Sequence, residues 1–245
     1  MDFYNSIADS YDAMTNLASR QEQITANVAK LNDRYHPQTL LDIPCGTGYF
    51  AISWASHNIE VTGVDCSEKM LQIARKNTQK SVKIDWICAK MEHFVPVAAC
   101  HFDMICCLGN SIPHLLDDIS LDATINNFVQ MLNKNGTILI HMLNFPLILS
   151  QKNRIVAITR NQNTEFIRFY DFLHSQISFN LLKIDWDGQK STHNLTSTIL
   201  NPLHHKDLTT RLQTAGITNI KLYSDLNFNS FDPDTSQSVI IQAQK

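Results

Sequence analysis

The segment Leu41-Asp42-Ile43-Pro44-Cys45-Gly46-Thr47-Gly48 constrains the fold of this chain more than any other feature. A short apolar run over 39–43 meets two glycines one residue apart, and a helical pattern over about 48–57 follows. A strand that enters a helix through glycines is the opening of a doubly wound α/β sheet. Residues without Cβ let the backbone turn sharply and let a ligand approach the main chain. The unpaired amides of the following helix are expected to offer partners for a bound carboxylate or polar edge. A second apolar run over 60–64 ends at Asp65, 19 residues beyond Gly46. A carboxylate there is placed to accept two hydrogen bonds from a ribose diol.

The same alternation continues. Ile24, Val28, Leu31 and Tyr35 recur at helical spacing and predict a helix over 18–35. Ser67 is suited to cap the helix after the second strand. Strands are expected over 82–88, 102–108 and 137–143, with a helical stripe at Leu121, Ile125, Phe128, Val129 and Leu132 ended by Asn135-Gly136. After residue 150 the pattern changes to consecutive strands, over 154–159, 165–173, 176–186 and 191–200, whose short turns require antiparallel pairing. A helix over 205–215 and strands over 217–223 and 238–244 complete the chain. The expected fold is α/β: a doubly wound, mostly parallel seven-stranded sheet with an antiparallel strand insert after the fifth strand. Residues 1–245 then form one domain, in which 151–203 are a lid-like insert.

Composition narrows the partners. Of the 245 residues, 44% are hydrophobic and 18% charged, with a formal charge of −3, so no electrostatic attraction to nucleic acid or an anionic membrane is expected. The N-terminal residues carry acids and no apolar core, unlike a secretory signal, and no apolar run is long enough to span a bilayer. Cysteines 45, 66, 88, 100, 106 and 107 lack metal-like spacing and read as free thiols, consistent with a cytoplasmic location. The Asn194-Leu195-Thr196 sequon carries no weight in such a chain. Ten histidines, including the pair His204-His205 at a helix start, show no metal motif, and no metal is expected.

The nucleoside is the open question. Gly46-Thr47-Gly48-Tyr49-Phe50-Ala51 also satisfies the loose dinucleotide fingerprint, so an NAD-dependent oxidoreductase competes. Asp42 argues otherwise: its charge repels a pyrophosphate and attracts an ammonium and a sulfonium, favouring S-adenosyl-L-methionine. LLDIPCGTG with VTGVDCSEKM resembles the first two motifs of class I S-adenosylmethionine-dependent methyltransferases. That resemblance implies that Asp42 helps hold the methionine ammonium, that Cys45, Gly46, Thr47 and Gly48 cradle the methionine portion, and that Asp65 binds the ribose. It also places Cys66 and Met70 beside the adenosine, with Met91 in the adenine-flanking segment 89–92, where Lys90 stands in place of the family's usual acid.

Ile105-Cys106-Cys107-Leu108-Gly109-Asn110-Ser111-Ile112-Pro113-His114-Leu115 is similar to a signature of glycine N-methyltransferases and related small-molecule enzymes. By that resemblance Leu108 lies at the cofactor and Asn110 orients the acceptor, with His114 a candidate for proton removal. Arg20, 22 residues before Asp42, matches an arginine for the cofactor carboxylate. The segment 5–12 looks like a helix closing over the cofactor, with Tyr11 near the sulfonium. Where glycine-specific enzymes carry an acceptor-binding arginine, this chain has Leu143, while Arg168 and Tyr170 alternate on an insert strand that could face the cleft. No DPPY or NPPY follows the fourth strand, so nucleobase methylation lacks its motif. The expected activity is methyl transfer to a small molecule at nitrogen. A catalytically silent cofactor-binding module is the further alternative, and the oligomeric state is left open.

Overall fold

The computed structural model describes residues 2–95 and 101–245; Cys100, counted above with the thiols, lies outside them. Two helices lead in, α1 (Asp2–Met14) and α2 (Leu17–Tyr35), followed by β1 (Thr39–Asp42), α3 (Tyr49–Ala55), β2 (Glu60–Asp65), α4 (Glu68–Asn77), β3 (Ile84–Cys88) and β4 (Phe102–Cys107). A 3₁₀ turn over Ile112–His114 precedes α5 (Asp118–Met131), β5 (Leu132–Leu143) and α6 (Phe145–Gln151). Four strands then run consecutively: β6 (Ile155–Asn161), β7 (Thr164–Phe172), β8 (Ile177–Asp187) and β9 (Lys190–Leu200). The chain ends in α7 (His205–Thr214), β10 (Asn219–Tyr223) and β11 (Ser238–Gln244).

The main sheet has the order β10-β11-β5-β4-β1-β2-β3. Its pairs from β3 to β5 are parallel, whereas β11 runs antiparallel to both β5 and β10. Two apolar layers cover its faces. Leu41, Ile105, Ile138 and Ile241 pack under α5 and α7, and Leu40, Met104, Cys106 and Leu139 pack under α2 and α3. Burial on both faces explains why these strands read as apolar runs without alternation. The antiparallel return of β11 distinguishes this sheet from the all-parallel dinucleotide-binding arrangement.

β6 to β9 form a separate four-stranded antiparallel sheet. Phe166 and Leu181 on its inner face meet Phe3, Ile7 and Met14 of α1, while Tyr170 and Ile177 meet Phe145 of α6. One helix was not anticipated, and one expectation needs correction. The apolar run after β5 becomes helix α6, because Pro146 sits in its first turn, where a missing amide costs no hydrogen bond. Asn135-Gly136 does not separate helix from strand: α5 stops at Met131, and β5 runs through the pair with Asn135 at φ 65°. Ser67 caps α4 as expected, its hydroxyl accepting from the Met70 amide at 3.2 Å.

Candidate active site

A cavity of about 920 Å³ opens at the carboxyl ends of β1, β2, β4 and β5. Its walls bring together Tyr11, Arg20, Asp42, Cys45, Gly46, Thr47, Asp65, Cys66, Met70, Met91, Leu108 and His114, drawn from positions 11 to 114 of the chain. The size suits one nucleoside-bearing ligand together with a small second molecule.

The loop after β1 holds two carboxylates of different character. Asp65 is anchored from both sides: Oδ2 accepts the Gly46 amide at 2.8 Å and Oδ1 the Ser67 amide at 2.8 Å. Burial raises its carboxyl, while the amides of Ser67, Gly46 and Cys66 pull it back. The carboxylate is thereby held rigid, each oxygen keeping a lone pair for a ligand hydroxyl. Asp42 is 2% exposed, and its Oδ2 is buried without a partner among the described residues. Burial and the neighbouring Asp65 charge push its carboxyl well above the usual range, against one hydrogen bond from the Ala51 amide. A buried carboxylate oxygen without a donor is costly, and a ligand cation supplies what the protein does not.

The two glycines serve different purposes. At Gly46, φ is +55° and nothing lies within 4 Å of where a Cβ would stand, so the residue is open to the cavity. At Gly48, φ is +86° and a Cβ would stand 2.7 Å from Trp86 Cη2 and 2.8 Å from Ala74 Cβ. Gly48 does not line the cavity; its missing side chain makes room for Trp86. Three amides of the loop itself are paired within the protein. Cys45 donates to the Val64 carbonyl, Gly48 to the Cys45 carbonyl and Gly46 to Asp65, so the loop presents carboxylates more than free N–H groups.

Helix α1 is fastened over this loop. Thr47 Oγ1 donates to Asp12 Oδ1 at 2.7 Å, Ser67 Oγ donates to Asn5 Oδ1 at 2.6 Å, and Tyr4 shares a 2.8 Å hydrogen bond with His114 Nε2. Three polar contacts thus join α1 to the glycine loop, the cap of α4 and the turn after β4. Tyr11 and Tyr4 meet edge to face, with centroids 6.3 Å apart. Burial raises both phenols, that of Tyr4 well above the ordinary value.

Asn110 is placed differently from the expectation. It does not line the cavity: with φ at 64°, its Oδ1 accepts the Leu143 amide at 2.9 Å, tying the end of β4 to the end of β5. Gly109, Ser111 and His114 line the cavity from this segment instead, as do Ser197, Thr198 and Ile199 of β9. His141, near the end of β5, also lines the cavity. Burial lowers His114 to about 4, and burial with the Arg20 charge lowers His141 to about 4, so both rings stay neutral near pH 7. Lys90 pairs with Glu92 at 3.6 Å, and both line the cavity beside Met91. The segment therefore carries its acid, Glu92, two positions after Lys90. Tyr4, Asp12 and His141 had no signal in spacing, because each acts through a neighbour distant in the chain.

No helix among the described residues is long and apolar enough to cross a membrane. No group of three or more His, Cys, Asp or Glu residues that could hold a metal ion occurs among them.

Residues 40–136 match a family model described as a methyltransferase domain. Over 145 residues the chain is 32% identical to glycine N-methyltransferase of Rattus norvegicus, covering 54% of this chain and 49% of that protein. The chain thus spans about half the length of the curated relative it matches. It superimposes on an S-adenosylmethionine-dependent methyltransferase from Clostridium acetobutylicum with a TM-score of 0.82 at 15% identity, covering 98% of each chain. The sugar N-methyltransferase KedS8 from Streptoalloteichus gives a TM-score of 0.68 at 18% identity, covering 91% of this chain and 86% of that one. The fold is that of class I S-adenosylmethionine-dependent methyltransferases, and the stretch that matches the methyltransferase-domain model, residues 40–136, spans β1 to the middle of β5.

Proposed function

We propose that this chain transfers a methyl group from S-adenosyl-L-methionine to a nitrogen of a small-molecule acceptor. The carrying observation is the buried Asp42 Oδ2, without a partner among the described residues, in the cavity wall beside the anchored carboxylate of Asp65. A ligand with an ammonium group and a ribose diol fits that pair; a pyrophosphate does not.

In this reading Asp42 binds the methionine ammonium and Arg20 the methionine carboxylate. Asp65 accepts from the ribose hydroxyls, and Met70 and Met91 pack against the adenosine. Gly46 leaves room for the methionine portion. The donor supplies an electrophilic methyl group on a sulfonium, and transfer needs an acceptor lone pair in line with it. Helix α1 and the β6–β9 sheet act as a lid that excludes water, and Tyr11 stands near the reacting atoms. Positioning in such a site is worth roughly 7–11 kcal/mol in well-oriented systems.

Nitrogen is favoured over oxygen by the acceptor end of the cavity. The rings of His114 and His141 are poor proton acceptors, and Tyr4 and Tyr11 hold their protons tightly. A neutral amine attacks with its own lone pair and releases its proton afterwards, whereas an alcohol needs a base during attack. The names of the rat relative and of KedS8 support the same choice. Asn110 has a positioning role here, fixing the loop from which Ser111 and His114 face the acceptor.

The test is incubation with methyl-labelled S-adenosylmethionine and a fractionated metabolite extract, read by mass spectrometry. Label is expected on an amine. Label only on hydroxyl or carboxyl oxygen overturns the nitrogen assignment, and no transfer to any fraction despite cofactor binding favours a silent binding module.

A further inference from the structure

The β6–β9 sheet reaches the cavity at one place, through Ser197, Thr198 and Ile199 of β9. These are consecutive residues, and the side chains of consecutive strand residues point to opposite faces. Thr198 pairs with Phe179 on the inner face, whereas Ser197 turns to the outer one, its hydroxyl donating to Asn180 Oδ1 at 2.6 Å. A cavity that touches all three therefore meets the edge of the strand, its main chain, and neither of its faces. β9 is an edge strand, paired with β8 alone.

The register identifies the main-chain groups on that edge. Along an antiparallel strand the N–H and C=O of successive residues alternate between its two sides. Trp186 of β8 donates its amide to the Asn163 carbonyl at 2.8 Å, on the β7 side. Even-numbered residues of β8 thus bond toward β7 and odd-numbered ones toward β9. Ile177 and Phe179 bond to their partners Leu200 and Thr198, which leaves Ser197 and Ile199 pointing away from the sheet. The amide of Asn201, next in that alternation, agrees: it donates to the Pro113 carbonyl at 2.8 Å, across the free edge. Among the described residues no hydrogen bond reaches the amides or carbonyls of Ser197 and Ile199 on this side. From Leu195 to Ile199 the strand has no charge, no proline and no bulge, the devices that usually blunt an exposed edge.

A bare edge is a template for any group that offers N–H and C=O at strand spacing. The space here admits only a short partner. The Asn201–Pro113 bond closes the edge at one end, and Thr196 lies outside the cavity wall at the other. The stretch from Ser197 to Ile199 spans roughly 7 Å, the length of one or two amide units. Ser111 and His114 line the cavity from the turn that contains Pro113, so this edge stands at the acceptor end.

We propose that the free edge of β9 at Ser197 and Ile199 binds the acceptor through the main chain, so that the methyl acceptor is an amine carrying a neutral secondary amide, of the aminoacyl-amide or short peptidyl type. The word acceptor rests on the methyltransferase reading; the edge site is testable without it.

The test is amide-resolved NMR of the full chain, alone and saturated with S-adenosylhomocysteine, titrated with glycylglycinamide and with glycylsarcosinamide, whose linking amide has no N–H. Glycylglycinamide is expected to shift the amide resonances of Ser197 and Ile199 and to bind roughly fivefold or more tighter than glycylsarcosinamide. Ser197→Pro removes an outward N–H and leaves the β8 ladder intact, because that N–H takes no part in it. It is expected to weaken glycylglycinamide by a similar factor. Ser197→Ala, which loses only the hydroxyl, binds it within twofold of the parent, and both variants bind S-adenosylhomocysteine within twofold. The proposal is overturned if the Ser197 and Ile199 amides do not shift, if the two probes bind the parent within twofold of each other, or if a Ser197→Pro protein that melts with the parent binds glycylglycinamide equally well. Should Ser197→Pro fold poorly, the amide shifts and the probe comparison in the parent decide. Failure of S-adenosylhomocysteine to bind the parent would defeat the function reading, while the cofactor-free titration still decides the edge site.

Discussion

The Tyr4 hydroxyl and His114 Nε2, 110 residues apart in sequence, stand 2.8 Å apart and join α1 to the turn after β4. The ring of His114 also meets that of Tyr4 edge to face, at a centroid distance of 5.3 Å. Removing the hydroxyl with Tyr4→Phe leaves a part-buried ring nitrogen unpaired, which costs about 1–3 kcal/mol. Denaturant unfolding should show that loss, and hydrogen exchange should show faster opening of residues 2–14. Unchanged stability and exchange would mean that the contact does not hold the helix.

The two cavity histidines make stability depend on pH. Each has its folded pKa depressed to about 4 by burial, below an unfolded value near 6.5. Between those values the unfolded chain binds more protons, so their contribution is present above pH 6.5 and lost as pH falls through 4. The slope is about 1.4 kcal/mol per pH unit for each ring. Asp42 and Asp65, with raised carboxyls, act in the opposite sense, their cost growing as pH rises. The clean comparison is therefore the parent against a His114→Gln, His141→Gln double variant. The variant's stability relative to the parent should rise as pH is lowered from 7 to 4.5, and a pH-independent difference would count against neutral, buried rings.

Asp42 is expected to trade stability for binding. In Asp42→Asn the buried carboxylate and its repulsion by Asp65 disappear, so the unliganded protein should melt no lower at pH 7 than the parent. Loss of a charge-assisted hydrogen bond of about 1.5–3 kcal/mol should weaken S-adenosylhomocysteine roughly 10- to 150-fold. Thermal melts and calorimetry on one preparation check both halves. A marked drop in melting temperature with unchanged affinity would assign Asp42 a purely structural role.

The two glycines should separate in the same experiments. Gly48→Ala drives a Cβ into Trp86 and Ala74 at an unfavourable φ and should cost about 1–3 kcal/mol of stability through overpacking. Gly46→Ala meets open space and should be milder for folding, costing about 1–2 kcal/mol for its left-handed backbone. Its new methyl group, placed on the cavity wall, should instead reduce cofactor affinity. The reverse ranking would mean that their roles have been exchanged.

Much of this site was readable from residues close together in the chain. Gly46, Asp65 and Ser67 follow from what a strand, a sharp turn and a helix start require. The buried strands announced themselves as apolar runs. The contributions of Tyr4, Asp12 and His141 arise only when α1, the glycine loop and β5 converge, and no local period marks such a meeting. Asn110 was misplaced because its neighbours suggested the cavity, whereas a left-handed backbone turns its amide toward Leu143. Helix α6 was hidden by Pro146, which breaks helices in their interior but not in their first turn.

Binding of one ligand in one loop is the central claim, and calorimetric titration of the full chain with S-adenosylmethionine, beside NADH, tests it most directly. One site per chain is expected for the sulfonium compound, with affinity lost in Asp65→Ala, and no heat from NADH. Binding of NADH in its place, or S-adenosylmethionine affinity indifferent to Asp65→Ala, would contradict the account.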